Sequence, residues 1–162
     1  MSRAVVVFAR LALAAGFLSA VADRFGLSGG PGTGGVAWGE FGRFVQYVHQ
    51  LAPYLPGLLL NGAAWAATVA ELVLGLALLL GIALRWSAYA SAALLVVFAL
   101  SMAFFVGFEA PLGYSVFSAA AASLLLALAA PGADALSLDR LLRRRRAVGF
   151  GVFQARGQVG AG

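Results

Sequence analysis

The chain has 162 residues, of which 62% are hydrophobic and 10% charged, against roughly 45–50% and about 25% in soluble globular proteins. A single water-soluble domain cannot hide that much apolar surface, so soluble globular, disordered and collagenous classes are excluded and the chain reads as an integral membrane protein. The net charge of +5 rests on eleven arginines that gather near the chain end and line no basic face, which argues against nucleic acid as a partner; with no cysteine there is no disulfide or thiolate metal site.

The first apolar run covers residues 4–23, interrupted by Arg10. Arg3 and Ala20-Val21-Ala22 imitate the flanks of a cleavable signal peptide. A charge in the middle of the apolar segment weakens such a signal, and the run is long enough to span, so it is read as a retained first span. One face carries a small, polar seam of Ala12, Gly16, Ser19 and Asp23. Arg10 lies on another face with Ala14, Phe17, Val21 and Arg24. Asp23-Arg24 reads either as an interfacial pair or as part of a site.

The loop 24–57 follows. Gly30-Pro31-Gly32-Thr33-Gly34-Gly35 fits G-x-G-x-x-G to the letter, but that fingerprint works only between a strand and a helix of a soluble βαβ unit. Here it follows a membrane helix and contains Pro31, so it reads as a flexible loop. Residues 37–51 are amphipathic: Trp38, Phe41, Phe44, Val45, Val48 and Leu51 fall opposite Glu40, Arg43, Gln46 and Gln50. This predicts a short interfacial helix, ended by Pro53 and Pro56. His49, at the edge of its apolar face, is the single histidine. It reads either as a side chain satisfied by water or lipid, or as a proton-exchange group beside a bound quinone-like molecule. One histidine makes no metal site, and no helix carries a histidine pair for haem, so neither is expected.

The second apolar run, 58–84, carries Glu71 near its middle. A charge there costs roughly 2.5–3.5 kcal/mol on insertion scales, which forces it to face the protein interior. Asn61, Ala64, Thr68, Glu71 and Gly75 recur at spacings of three and four, giving one small, polar seam on a Leu-rich helix. Glu71 then either holds a packing hydrogen bond or handles protons or ligand through its carboxylate; the second is the reading adopted, with Arg10 as a candidate partner given some helix offset.

Runs 87–108 and 112–130 complete the set, separated by Arg85-Trp86 and Glu109-Ala110-Pro111. Backbone groups in lipid must be satisfied internally and the links are short, which predicts an all-α membrane bundle of four antiparallel helices. Tyr114, beside Ser115 and Ser118, reads as a belt aromatic or as a hydroxyl donor into the bundle. The tail 136–162 holds Arg143, Arg144, Arg145 and Arg146. With Arg3, Arg85, Arg140 and Arg156 they share one side, against Arg24 and Arg43 on the other, so both termini are expected in the cytoplasm of a bacterial-type inner membrane.

Those residues give the chain its resemblance to the DoxX family of small four-helix membrane proteins. The resemblance is carried by Arg10-Leu11-Ala12 and Phe17 to Arg24 in the first span. In the second it runs from Ala64 through Thr68, Glu71 and Gly75, and then from Leu80 to Arg85. Ala110-Pro111-Leu112-Gly113-Tyr114-Ser115-Val116-Phe117 opens the fourth. It extends over residues 4–130 and departs at Gly113, where many members carry an aspartate. The resemblance implies a quinone-associated membrane subunit that supports an oxidoreductase and its redox partner protein. In that reading Glu71 and Asp23 handle protons or bind quinone, with Arg10, Thr68, Tyr114 and His49 as further contacts. The rival expectation is a non-catalytic membrane scaffold or anchor for a soluble partner, followed by a small solute or lipid transport component.

Overall fold

The computed structural model describes residues 2–129; the arginine-rich tail at 136–162 lies outside the described residues. Among the described residues the chain is all-helical: α1 (Arg3–Arg24), α2 (Phe41–Leu51), α3 (Gly57–Leu80), α4 (Leu84–Phe105), α5 (Glu109–Gly113) and α6 (Val116–Ala129). Three of them, α1, α3 and α4, are long and apolar enough to cross a membrane, while α6 is apolar but shorter. They mark a membrane protein.

Local chemistry sets the helix ends. Ser2 caps α1, accepting from the Val5 N–H at 3.4 Å. At the far end Gly26 adopts φ +71°, the Leu27 N–H reaches the Ala22 carbonyl and the Gly26 N–H reaches that of Asp23. This left-handed closure makes Arg24 the last residue of the helix. Gly81, at φ +68°, closes α3 in the same way, with the Ile82 N–H on the Ala77 carbonyl. The second apolar run therefore ends at Leu80, and Arg85-Trp86 fall in the first turn of α4 and not in the break. The apolar Ile82, Ala83 and Leu84 hide this turn in the sequence. The expected fourth run is likewise cut: α5 occupies Glu109–Gly113, Ser115 takes φ +55°, and α6 begins only at Val116.

Packing puts small and polar residues inside and large apolar ones outside. The buried stripe of α1 is Val6, Arg10, Ala14, Phe17, Val21 and Arg24, so the seam of Ala12, Gly16 and Ser19 faces outward and Asp23 alone of that set is buried. On α3 the buried residues are Ala64, Thr68, Glu71, Gly75 and Leu78, the expected seam with Asn61 left exposed. Gly75 brings α1 close: a Cβ there would stand 3.0 Å from Cγ and Cδ2 of Leu18. Helix α4 packs on α6, and the buried residues of the two are mostly small: Ala88, Ser91, Ala92 and Ala99 on α4, Ala120, Ser123 and Ala127 on α6. The Ser91 and Ser123 hydroxyls donate to carbonyls one turn back, those of Ser87 and Ala119. Leu72, Val73, Val97, Phe104 and Leu125 point away from the protein. Close contact through small residues, with leucine and valine outside, suits helices whose outer solvent is lipid.

Helix α2 packs its Phe44 and Val48 over Ala64 of α3, so the loop and α2 together cover one end of the α1–α3 pair.

Candidate functional site

The site is built where the end of α1 meets the middle of α3. At 1.5 Å per residue, Glu71 lies about 21 Å from the first residue of α3 and about 14 Å from the last. The i, i+3 spacing puts Thr68 on the same face one turn away. Arg24 reaches across from α1: Nη2 donates to both Glu71 oxygens, at 2.6 Å to Oε1 and 2.7 Å to Oε2. Nη1 donates to Thr68 Oγ1 at 3.0 Å, and that hydroxyl donates in turn to the Ala64 carbonyl at 2.8 Å. Arg24 and Glu71 are each 2% exposed. Charge-assisted bonds of this length are the strong kind, and a cation at the last residue of a helix also meets the negative end of the helix dipole.

Aromatic rings wall the guanidinium. Its Cζ lies 3.7 Å from the centre of the Phe44 ring and 5.3 Å from that of Trp38, which themselves meet edge to face at 5.2 Å. Outside them Phe25 stacks on Phe41 at 5.8 Å, and Phe41 packs on Trp65 at 4.5 Å. Asp23 joins this cover to α1: its Oδ2 accepts the Trp38 N–H at 2.8 Å. Asp23 Oδ1 and Arg24 Nε are buried without a hydrogen-bond partner.

Glu71, Thr68 and Asp23 are thus brought together. Arg10 is not part of the group. It is buried on the same face of α1 as Arg24, but fourteen residues, about 21 Å, along the axis. The expected Arg10–Glu71 pair is therefore corrected to Arg24–Glu71, because the antiparallel packing sets Glu71 level with the last turn of α1. The Asp23-Arg24 pair is corrected too: the two neighbours point to different partners, Trp38 and Glu71. Tyr114 stands in the turn before α6, 71% exposed, and not in the interior. Its neighbour is Tyr47 of α2, whose hydroxyl pKa is raised by burial and, less strongly, by Tyr114. His49 is exposed, bordering a surface cleft of about 420 Å³ with Val45, Gln46, Gln50 and Leu60. Among the described residues no three or more His, Asp or Glu side chains gather as metal ligands do.

Sequence reasoning missed Arg24 as the partner of Glu71 and missed Trp38 and Phe44 as walls of the site. A signal for the first was present: Arg24 continues the stripe Arg10, Ala14, Phe17, Val21, two residues before the helix-ending Gly26. Nothing local pairs Phe44 with Arg24, since that contact joins residues twenty apart in sequence.

No known protein family, curated protein or solved structure matches this chain.

Proposed function

We propose that the chain is a quinone-associated membrane subunit of DoxX type, spanning the bilayer four times and supporting an oxidoreductase. The observation that carries this reading is the Arg24–Glu71–Thr68 cluster, sunk along α3 and walled by Phe44 and Trp38, with Asp23 Oδ1 and Arg24 Nε left as one acceptor and one donor. One unpartnered acceptor and one unpartnered donor on successive residues, near flat aromatic faces, suit a planar head that presents carbonyl oxygens when oxidised and hydroxyls when reduced. Arg24 Nε would hold a carbonyl, Asp23 Oδ1 would take a hydroxyl proton, and Glu71 would keep the guanidinium oriented. A quinone bound there supplies the transport of electrons together with protons that a cysteine-free chain cannot supply itself. His49 and Tyr114 are dropped from the contacts, being exposed.

The fine topology belongs to the same reading. Helices α1, α3, α4 and α6 form the four spans, α2 lies in the outer interface, and both termini face the cytoplasm of an inner membrane. The arginine asymmetry supports this more strongly once Arg24 is counted as buried: Arg43, beside Glu40 at 3.5 Å, is then the cation of the outer loop, against Arg3 and Arg85 on the other side.

One observation favours the rival, a non-catalytic scaffold for a soluble partner: both oxygens of Glu71 are already held by Arg24, as in a purely structural clasp. Purification in mild detergent, with analysis of the lipid extract, separates the two. Quinone at near-stoichiometric occupancy, lost in Asp23→Leu protein that remains folded, supports the quinone reading. A stoichiometric soluble partner with no quinone overturns it.

A further inference from the structure

The Arg24–Glu71 pair is closed off on one side by a segment attached to the long helices in an unusual way. Residues 36–51 reach α1 through a loop with left-handed glycines at 26, 29, 32 and 35, and reach α3 through Pro53 and Pro56. The loop's own hydrogen bonds are short-range turns, such as Gly29 N–H to Gly26 and Thr33 N–H to Gly30. Its fold is tight: Gly39 backs onto Pro31, where a Cβ would come within 2.5 Å of the Pro31 nitrogen. Gly39 thus seats the segment on the loop, while its grip on α3 is side-chain packing of Phe41, Phe44 and Val48 over Ala64 and Trp65. A polar tie to α1 is the Trp38 N–H on Asp23 Oδ2. Beneath it lie the two buried polar atoms without partners, Asp23 Oδ1 and Arg24 Nε.

We propose that residues 36–51 are a lid that swings on the glycine loop to admit a ligand to the Arg24–Glu71 cluster, and that Asp23 is its latch. Closed, the lid places Phe44 on the guanidinium and Trp38 on the latch. Open, it uncovers Arg24 and Asp23 together, because the same carboxylate that holds the lid is a neighbour of the cation it covers. The glycines supply backbone freedom where a bulkier residue in the left-handed region would resist the swing. The ligand follows the function proposed above, on which this inference rests; the motion itself does not depend on which molecule enters.

The test uses the absence of native cysteine. Ala64 is fully buried beneath Phe44 and Val48, so Ala64→Cys in the full-length protein reports lid opening through its rate of modification by a small water-soluble methanethiosulfonate. Slow labelling is expected, far below that of exposed Ser28→Cys. Adding Asp23→Ala removes the charge-assisted hydrogen bond and should speed labelling about ten- to a hundredfold. Asp23→Asn, which keeps an oxygen acceptor, should stay within about threefold of the parent. An unchanged rate in folded Asp23→Ala protein overturns the latch. Labelling of Ala64→Cys as fast as Ser28→Cys overturns the lid. Hydrogen exchange on the unmutated protein tests the same opening without any substitution: residues 36–51 should exchange faster than 64–75, and equal protection counts against the proposal. Neither readout uses quinone. A chain that opens but carries no quinone keeps the lid and loses the quinone reading, while a chain that carries quinone under a lid that never opens does the reverse.

Discussion

Removing the carboxylate of Glu71 is the sharpest probe of the buried pair. Breaking a buried ion pair at one partner costs about 3–5 kcal/mol, because the other charge stays behind without compensation. In this protein the stranded group is Arg24, 2% exposed. Three contacts soften the loss for Glu71→Gln: the new amide oxygen still accepts from Nη2, Thr68 still accepts from Nη1, and the guanidinium still lies 3.7 Å over Phe44. A desolvated cation–π contact contributes about 2 kcal/mol. Glu71→Gln should therefore fall at the low end, about 3 kcal/mol, and Glu71→Leu, which keeps no acceptor, at the high end. The double variant Arg24→Met with Glu71→Leu removes both charges for side chains of similar volume, and should be more stable than Glu71→Leu alone, within about 2 kcal/mol of the parent. Equilibrium unfolding in mild detergent measures the parent, these three variants and Arg24→Met alone. If the double variant loses as much as the two single changes added together, the two side chains are not coupled and the account of the site is wrong.

The α1–α3 contact predicts opposite outcomes for two glycines. Gly75→Ala places a methyl 3.0 Å from Leu18 and 3.2 Å from Phe17 and should lower stability by about 1 kcal/mol or more, whereas Gly16→Ala meets nothing within 4 Å and should raise it by up to about 1 kcal/mol through helix propensity; melting temperatures in detergent check both, and equal losses would contradict the packing. The proposed topology predicts that Ser28→Cys is labelled in intact cells by an impermeant reagent and Ser2→Cys only after permeabilisation. The reverse pattern inverts the orientation.

Much of this protein can be read from local sequence, and the reason is physical. The long apolar runs specify helices because lipid offers no other partner for the backbone, and a period of 3.6 shows which face of α3 turns inward before any neighbour is known. The cost of an intramembrane charge makes Glu71 an interior residue, and Thr68 and Gly75 follow it on the same stripe. On α1 the same period offered two faces, and the one with Ala12, Gly16 and Ser19 turned outward, because the opposite face carries Arg10 and Arg24, which must be buried away from lipid. Helix ends were less legible where a left-handed Gly81 sits inside an unbroken apolar run. The partner of Glu71 was beyond local reading altogether. Arg10 and Arg24 share a helix face, and the axial offset of α1 against α3 decides between them. That offset is set by close contacts such as Gly75 against Leu18, and by the glycine at 26 that ends α1 one residue past Arg24's neighbour Phe25. The aromatic cover of Arg24 likewise exists only once α2 is laid over α3. Periodicity and desolvation act along one helix and can be read there, but the choice among equivalent charges depends on how two helices slide past each other, which only the packed structure decides.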